Sequence, residues 1–384
     1  MSCDPGKPRK IIPITPEPKD GTEPGYVPLF ASEQKVYSRS ISGVFARWRW
    51  VMVLLTQLFF YGMPWLQWGE RQMLLFDLEA RRFYLFGLVL YPQDFIYLTG
   101  LLIISALALF LFTAVAGRLW CGFTCPQTVY TEIFMWIESK VEGDRSARMR
   151  IDKNGWTFEK IWKKSLKQFL WIALSLWTGF TFVGFFVPIR ELAVELLSLQ
   201  GNWQIFWVLF YGFATYGNAG YMREQVCKYM CPYARFQSAM FDKDTMIVSY
   251  DAVRGEGRGP RKKGVDYKAE GLGDCIDCKL CVQVCPVGID IRKGLQYECI
   301  GCGLCIDACN SVMDKMEYPR GLIRLTTQNA VAKAWKHAQM IRRIFRPRVL
   351  IYSTVLIALS AAMIASLVLR EPVKVDVIRD RAAL

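Results

Sequence analysis

The chain has 384 residues, of which 53% are hydrophobic, with 13 tryptophans and a formal net charge of +14 at pH 7. This length could hold two or three soluble domains, but the apolar composition predicts an integral membrane protein instead. Lys and Arg in the loops that are expected to face the cytoplasm account for most of the positive charge. The charge therefore does not indicate a nucleic-acid partner.

Residues 1–40 are rich in proline and charge, a composition that predicts a disordered cytoplasmic tail. Five apolar windows follow, each about as long as a bilayer-spanning helix and each free of Lys, Arg, Asp and Glu. They are Trp50–Leu66, Phe95–Val115, Phe169–Val187, Trp203–Tyr221 and Val349–Leu369. The first window lies too deep in the chain to be a signal peptide, and no small-residue cleavage site follows it.

The distribution of Lys and Arg predicts the orientation in the membrane. Residues 117–164 contain nine such side chains, whereas residues 188–202 contain only Arg190. The N-terminus and the loops 117–164 and 223–348 are therefore expected in the cytoplasm. The C-terminal tail, residues 371–384, is expected in the periplasm.

The chain contains the motif Cys-x-x-x-Cys-Pro twice, with Cys121 and Cys125 after the second window and Cys227 and Cys231 after the fourth. Two hairpins that end in the same motif indicate a duplicated unit within residues 41–250. Parallel repeats of this kind often share a functional site at their interface.

Two local structures are compatible with each thiol pair. If both cysteines lie on one helix, residues i and i+4 share a face, and their separation suits a soft metal better than a disulfide. Alternatively, Pro126 and Pro232 begin new helices, and the helix dipole lowers the pKa of the cysteine before each proline. Four thiols between the repeats would suit Cu(I), although buried cysteines can also be inert.

Residues 251–273 are Gly-rich and basic and predict a linker to a cytoplasmic module at 274–325. Its two runs, Cys-x2-Cys-x2-Cys-x3-Cys, have the spacing of two-cluster ferredoxins, in which the fourth cysteine of each run ligates the other cluster. The spacing assigns one [4Fe–4S] cluster to Cys275, Cys278, Cys281 and Cys309, and the second to Cys299, Cys302, Cys305 and Cys285. A reducing compartment disfavours disulfides, and zinc sites have a different spacing.

Residues 326–370 predict a basic helix and the fifth span. The one histidine excludes bis-His haem, and the chain lacks a dinucleotide fingerprint. The electron donor is therefore expected to be a quinol or a cytoplasmic reductant. The predicted fold is a mainly α polytopic membrane protein with five transmembrane helices, a duplicated helical hairpin and an inserted α+β ferredoxin domain with two [4Fe–4S] clusters.

These motifs, with the segments "GDCIDCKLCVQVCPVGIDIRKGLQYECIGCGLCIDACN" and "VMDKMEYPRGLIRLTT", resemble the CcoG (FixG/RdxA) family of cytochrome c oxidase accessory proteins over residues 35–384. The resemblance implies a polyferredoxin of the bacterial inner membrane that reduces Cu(II) to Cu(I) for the cbb3-type oxidase. It implies catalytic, copper-binding roles for Cys121, Cys125, Cys227 and Cys231, and cluster ligation by the eight module cysteines.

The same resemblance implies contacts with membrane lipid, copper-handling proteins and oxidase assembly factors, and a homodimer is compatible with the sequence. Family members usually continue into a periplasmic immunoglobulin-like domain, which is expected to be absent after Leu384. Two other functions remain open: a quinol-linked electron relay that feeds another reductase, and a non-enzymatic factor that only holds copper.

Overall fold

The structure is a computed structural model that describes residues 35–199, 201–264, 267–268, 271–333, 335 and 337–369. Most of the predicted N-terminal tail and the whole of the predicted periplasmic tail lie outside the described residues. The fold is mainly helical, with a cysteine-rich module between two apolar helices.

Three helices of the described chain are long and apolar enough to cross a membrane: Pro92–Ala116, Phe158–Val183 and Pro347–Val368. They contain α2 (Phe95–Ala116), α6 (Phe158–Val183) and α15 (Pro347–Val368). Helix α2 packs against α15, and the hydroxyl of Tyr97 lies 3.1 Å from that of Ser366. Much of the apolar surface of α2 and α15 is exposed, as expected for helices whose solvent is lipid.

The other two predicted windows also form helices, but these are not both long enough and apolar enough to be counted with the three above. Helix α1 (Val44–Gly62) carries two arginines in its first turns. Helix α8 (Asn202–Thr215) has only 14 residues and continues as a π-helical segment, Tyr216–Met222. The third window was predicted from Phe169, but α6 begins eleven residues earlier in a charged, amphipathic turn. Helix α8 packs along α6.

A small antiparallel β-structure joins α1 to α2. Strands β1 (Gln67–Trp68) and β2 (Arg71–Gln72) form a hairpin, and β3 (Leu74–Asp77), β4 (Arg82–Leu85) and β5 (Leu88–Leu90) form a three-stranded sheet. The buried side chain of Gln72 ties it to the end of α6, because its Nε2 donates to the carbonyl of Gly184 at 2.7 Å.

Short helices fill the predicted cytoplasmic side of the membrane region. Between α2 and α6 these are α3 (Leu119–Phe123), α4 (Pro126–Glu142) and α5 (Arg145–Lys153). On the opposite side, the predicted periplasmic one, helix α7 (Ile189–Ser198) lies between α6 and α8. After α8, a second π-helical segment (Val226–Met230) leads into α9 (Pro232–Met240). The two thiol motifs lie in these connections.

The cysteine module, residues 247–326, is closed by β6 (Ile247–Tyr250), which pairs antiparallel with β7 (Ile323–Thr326). Between them lie α10 (Ala252–Gly255), α11 (Leu280–Gln283) and α12 (Leu304–Met316). Helices α13 (Gln328–Ala332) and α14 (His337–Arg342) lead to α15. The module thus begins earlier than the predicted residue 274.

Several described residues of the predicted linker pack on the module. The amide of Asp251 donates to Leu322 O at 2.9 Å, and Arg254 pairs with Asp274.

Helix α1 docks on the module through its first turn. The amide of Ala46 donates to the buried carboxylate of Asp307 in α12 at 2.9 Å. A Cβ added to Gly43 would lie 2.2 Å from Asp307 Cγ, so only glycine permits this approach. This contact fixes the module against the predicted membrane helices.

Candidate metal centres

Four cysteines of the module line one cavity with an empty volume of about 370 Å³, here called the outer cavity. Two come from the loop that leads into α11, where Asp277 and Lys279 have left-handed backbone conformations that turn the chain, and a third comes from α11 itself. The fourth comes from α12. They are Cys275, Cys278, Cys281 and Cys309. Cys278 is exposed, so this cavity lies near the surface of the module.

Four other cysteines line a second cavity of about 370 Å³, here called the inner cavity: Cys285, Cys299, Cys302 and Cys305. Gly301 and Gly303 in its loop have positive φ angles, and a Cβ on Gly303 would lie 2.4 Å from the ring of Phe45 in α1. Cys281 lines both cavities, so they are neighbours. Apart from the shared Cys281, each cavity takes one cysteine from the other run: Cys309 lines the outer cavity and Cys285 lines the inner cavity.

The donor set of each cavity fits a [4Fe–4S] cluster. Burial raises the pKa values of Cys281, Cys299 and Cys309 to about 12 and that of Cys285 to about 11. Without iron these groups are neutral thiols at pH 7, and ligation must therefore displace their protons. Four cysteine sulfurs around one space suit a cluster that requires four thiolates.

The structure favours the second local arrangement for the paired thiols. Helices α4 and α9 begin at Pro126 and Pro232, and the preceding cysteines, Cys125 and Cys231, are their N-caps. The other cysteine of each pair lies in a different element, since Cys121 is in α3 and Cys227 is in the second π-helical segment. Neither pair therefore occupies one regular helix.

The expectation that the helix dipole lowers the thiol pKa is wrong for Cys125, because burial raises it. Burial also raises the pKa of Cys121 to about 11 and that of Cys227 to about 12. After burial, the electrostatic interaction with Cys125 has the largest effect on the pKa values of Cys121 and Cys227, and Cys231 contributes as well. The four thiols are therefore close enough to interact electrostatically across the two motifs.

The thiols do not form a closed single-ion site. Within the described parts of the chain, no three His, Cys, Asp or Glu side chains are arranged to hold a metal ion. An ion at the paired thiols would need a rearrangement or coordination by two thiolates.

The first motif lies directly on the loop of the inner cavity. A Cβ added to Gly122 would be 2.8 Å from Cys302 Cα and 2.9 Å from its amide nitrogen. A Cβ on Gly301 would be 3.1 Å from the backbone of Arg118. Two glycines thus allow the backbones to approach closely, and the thiol of Cys121 packs in the same apolar cluster as Cys302.

The two motifs also hold each other, through residues that the sequence analysis did not single out. The side chain of Gln127 donates to the carbonyls of Asn218 and Arg223 at 2.9 and 3.1 Å. In the opposite direction, the Cys121 thiol donates to Oε1 of Gln237 in α9 at 3.2 Å. Gln127 lies one residue after Pro126, whereas Gln237 lies five residues after Pro232, so their positions are not equivalent and no spacing in the sequence indicated these contacts.

The two motif arginines have structural partners. Arg118 is buried and donates to the carbonyls of Ala234 and Tyr297. Arg223 donates to Glu138 Oε2 at 2.9 Å. Its positive φ of 36° ends the π-helical segment before the second motif. Arg118 lies close enough to lower the pKa of Cys121, but this effect is smaller than that of burial.

Glu138 is the centre of a buried ion network that the sequence did not reveal. Only 1% of its surface is exposed, and its carboxylate also lies 3.2 Å from Arg148 and 3.8 Å from Lys167. The neighbouring carboxylates Glu142 and Asp152 continue the network through Lys164, at 3.0 and 2.7 Å. This network fixes α4, α5 and α6 beside the second motif.

Two family models match the chain. A 4Fe–4S dicluster domain matches residues 222–328, and a 4Fe–4S binding domain matches residues 98–142. Both matched ranges include a thiol motif. These matches support two [4Fe–4S] clusters and an iron–sulfur electron-transfer protein.

Three curated proteins are similar over most of their length. Protein RdxA of Cereibacter sphaeroides is 41% identical over 360 residues, which cover 91% of this chain and 75% of that protein. Protein RdxB of the same organism is 42% identical, with 91% and 75% covered. The nitrogen fixation protein FixG of Rhizobium meliloti is 37% identical, with 92% and 74% covered. No solved structure matches the chain.

The observations agree on a helical membrane protein with a ferredoxin domain, and the extent of these similarities shows the family directly. The chain belongs to the FixG/RdxA family.

Proposed function

We propose that this protein is a membrane-bound iron–sulfur oxidoreductase that reduces Cu(II) to Cu(I) for assembly of a cbb3-type cytochrome c oxidase. The observation that carries the proposal is the close approach of the first thiol motif to the inner cavity. Gly122, between Cys121 and Cys125, lies against the backbone of Cys302. A redox cofactor in that cavity and a soft ion at the thiols would be neighbours.

The eight module cysteines, in the two sets that line the outer and inner cavities, would hold the clusters. When bound, the clusters supply single electrons, and one electron converts one Cu(II) to one Cu(I). The proposed source of these electrons is a cytoplasmic one-electron carrier. It would approach at Cys278, the exposed cysteine of the outer cavity.

The paired thiols would bind the copper substrate. Thiolates stabilise Cu(I) relative to Cu(II), so a site with two or more of them favours the reduced ion. Each thiol that becomes a ligand releases a proton, because Cys121 and Cys227 are neutral at pH 7. The hydrogen bond from Cys121 to Gln237 orients that thiol toward the second motif. The proposed role of the interlocked motifs is to keep the four thiols close together, so that two of them can bind one ion.

The proposed setting is the bacterial inner membrane, crossed five times, with the module in the cytoplasm. The three helices that meet the length and hydropathy limits support this topology, and α1 and α8 supply the two further spans. The proposed partners are copper-handling proteins and assembly factors of the oxidase. The names of the similar proteins RdxA, RdxB and FixG do not mention copper.

Replacement of the thiols in pairs tests this function. We expect the Cys227→Ser, Cys231→Ser double variant to retain about eight irons per chain but to lose most Cu(I) binding and cupric reduction. The Cys121→Ser, Cys125→Ser variant should behave in the same way, since the motifs would share one site. Cys3→Ser is the matched control, because it removes a cysteine outside both motifs and the module. Wild-type rates of cupric reduction in both double variants would refute the proposal.

A second candidate function is a quinol-linked electron relay. It is favoured by a cavity of about 590 Å³ between α1, α4 and the module, with Trp50, Trp136 and Glu132 among its lining residues. Leu304, which packs in the same apolar cluster as Cys302, also lines it. Aromatic walls and a carboxylate could accept a quinol ring and its proton. Cluster reduction by a quinol in the absence of copper, without cupric reductase activity, would favour this relay.

A further inference from the structure

A buried arginine of α1 lies in a space that adjoins the inner cavity. Arg49 has only 2% of its surface exposed, and its Nη2 lies 2.9 Å from the carboxylate of Glu132 in α4. Its other terminal nitrogen, Nη1, is buried and has no hydrogen-bond partner among the residues that the structure describes. A buried guanidinium with an unmet donor is costly, so a further negative group nearby would stabilise it.

The position of Arg49 indicates which group that is. It lines a space of about 320 Å³ together with Val287 and Ile300, and these two residues also line the inner cavity. Ala46, which shares a face of α1 with Arg49, packs in the same apolar cluster as Cys302. Arg49 therefore acts on the inner cavity from the side of α1.

The outer cavity has a different electrostatic environment. Arg292 lines it, but two carboxylates neutralise this arginine: Asp277, and Asp290 at 2.7 Å. The exposed Cys278 also brings water close to this cavity. The inner cavity has Arg118 as a second buried cation, and Nε of Arg118 has no partner within the described chain. The two cavities thus differ in the buried positive charge beside them.

We infer that Arg49 raises the reduction potential of the cluster held at Cys285, Cys299, Cys302 and Cys305, and that Glu132 limits this increase. The inference rests on the proposed function for the identity of the bound group. One-electron reduction adds a negative charge to a cluster. A nearby cation stabilises that charge and a nearby anion destabilises it, most strongly where water is excluded. Arg49 would thus favour arrival of the electron beside the first thiol motif.

The test is a redox titration of the full-length protein, purified anaerobically in detergent and followed by the paramagnetic signals of its reduced clusters. We expect Arg49→Gln to lower the potential of one cluster and to leave the other unchanged. Glu132→Gln should raise the potential of that same cluster. For each variant we expect a change on the order of tenfold in the ratio of oxidised to reduced cluster, which corresponds to 59 mV for a one-electron couple.

Two further variants serve as controls. Arg47→Gln removes an exposed arginine from the same helix, two residues away, and should leave both potentials unchanged. Arg49→Lys keeps the charge and should stay close to the wild type. If Arg49→Gln fails to fold, Glu132→Gln and Arg49→Lys still decide the question.

Unchanged potentials in both Arg49→Gln and Glu132→Gln would overturn the inference. Equal shifts of both clusters, or shifts of the same sign in both variants, would also overturn it. The titration does not measure copper, so a wild-type protein with two clusters and no cupric reductase activity would refute only the proposed function.

Discussion

Gly122→Ala tests whether the first thiol motif must lie against the inner cavity. The added Cβ would be 2.8 Å from both Cys302 Cα and the carbonyl oxygen of Ile300, whereas ordinary van der Waals contact begins at 3.4 Å. Both neighbours are backbone atoms in a buried loop, so they cannot rotate away as a flexible side chain would. The substitution must therefore separate α3 from the loop that carries Cys302.

Overpacking of this kind typically costs about 1–3 kcal/mol. We expect Gly122→Ala to lower the free energy of unfolding by this amount and to slow cupric reduction, while the iron content stays at the wild-type level. The free energy is measured by titrating a denaturing detergent into mild-detergent micelles and following tryptophan fluorescence. The copper rate is measured in the same preparation.

Gly217→Ala is the matched control, because a Cβ there has nothing within 4 Å. Wild-type stability and rate in Gly122→Ala would contradict the packing argument. A stability loss with an unchanged rate would show that the approach of the motif to the module is structural only.

Further predictions concern the ion network and the topology. Glu138→Gln leaves Arg148 and Arg223 buried without their carboxylate, so we expect a loss of about 3–5 kcal/mol in the same unfolding assay. Burial alone would raise the pKa of Glu138, but Arg223 and its other cationic neighbours hold it below the usual value. The stabilisation that ionised Glu138 gives to the folded protein is therefore complete above its pKa in the unfolded chain, about 4.3. It is lost as the pH falls through the lower pKa that Glu138 has in the folded protein. The acid-induced fall in melting temperature should be smaller in Glu138→Gln than in the wild type. In iron-free protein, an impermeant thiol reagent should label Cys278 in inverted vesicles but not in intact cells, and labelling in cells would contradict a cytoplasmic module.

The sequence was most informative where function depends on local spacing. Three cysteines separated by two residues each must curl into one loop, so their grouping follows from the chain itself. The exchange of Cys285 and Cys309 between the two cavities is not local, but the regular ferredoxin spacing predicted it. The prolines of the thiol motifs were similarly informative, because proline at N1 begins a helix whatever the tertiary context.

The sequence was least informative where distant residues decide the structure. The apolar residues between Leu74 and Leu90 stand in short consecutive runs, so the strands there had no alternating pattern to indicate them. The structural role of Arg49 depends on Glu132, more than eighty positions away, and no helix pattern could pair them. The dipole argument for Cys125 failed because burial, a tertiary property, has a larger effect on its pKa.

The contacts between the motifs favour one shared thiol site over two separate ones. Arg118 precedes the first motif but donates to Ala234 in the helix after the second. Arg223 precedes the second motif but pairs with Glu138 in the helix after the first. Gln127 also caps carbonyls of the irregular turn before the second motif. The second motif therefore depends on the first for its backbone conformation, and displacement of either should disturb all four thiols. A substrate held across the motifs would then lie at their common interface, beside the loop of the inner cavity.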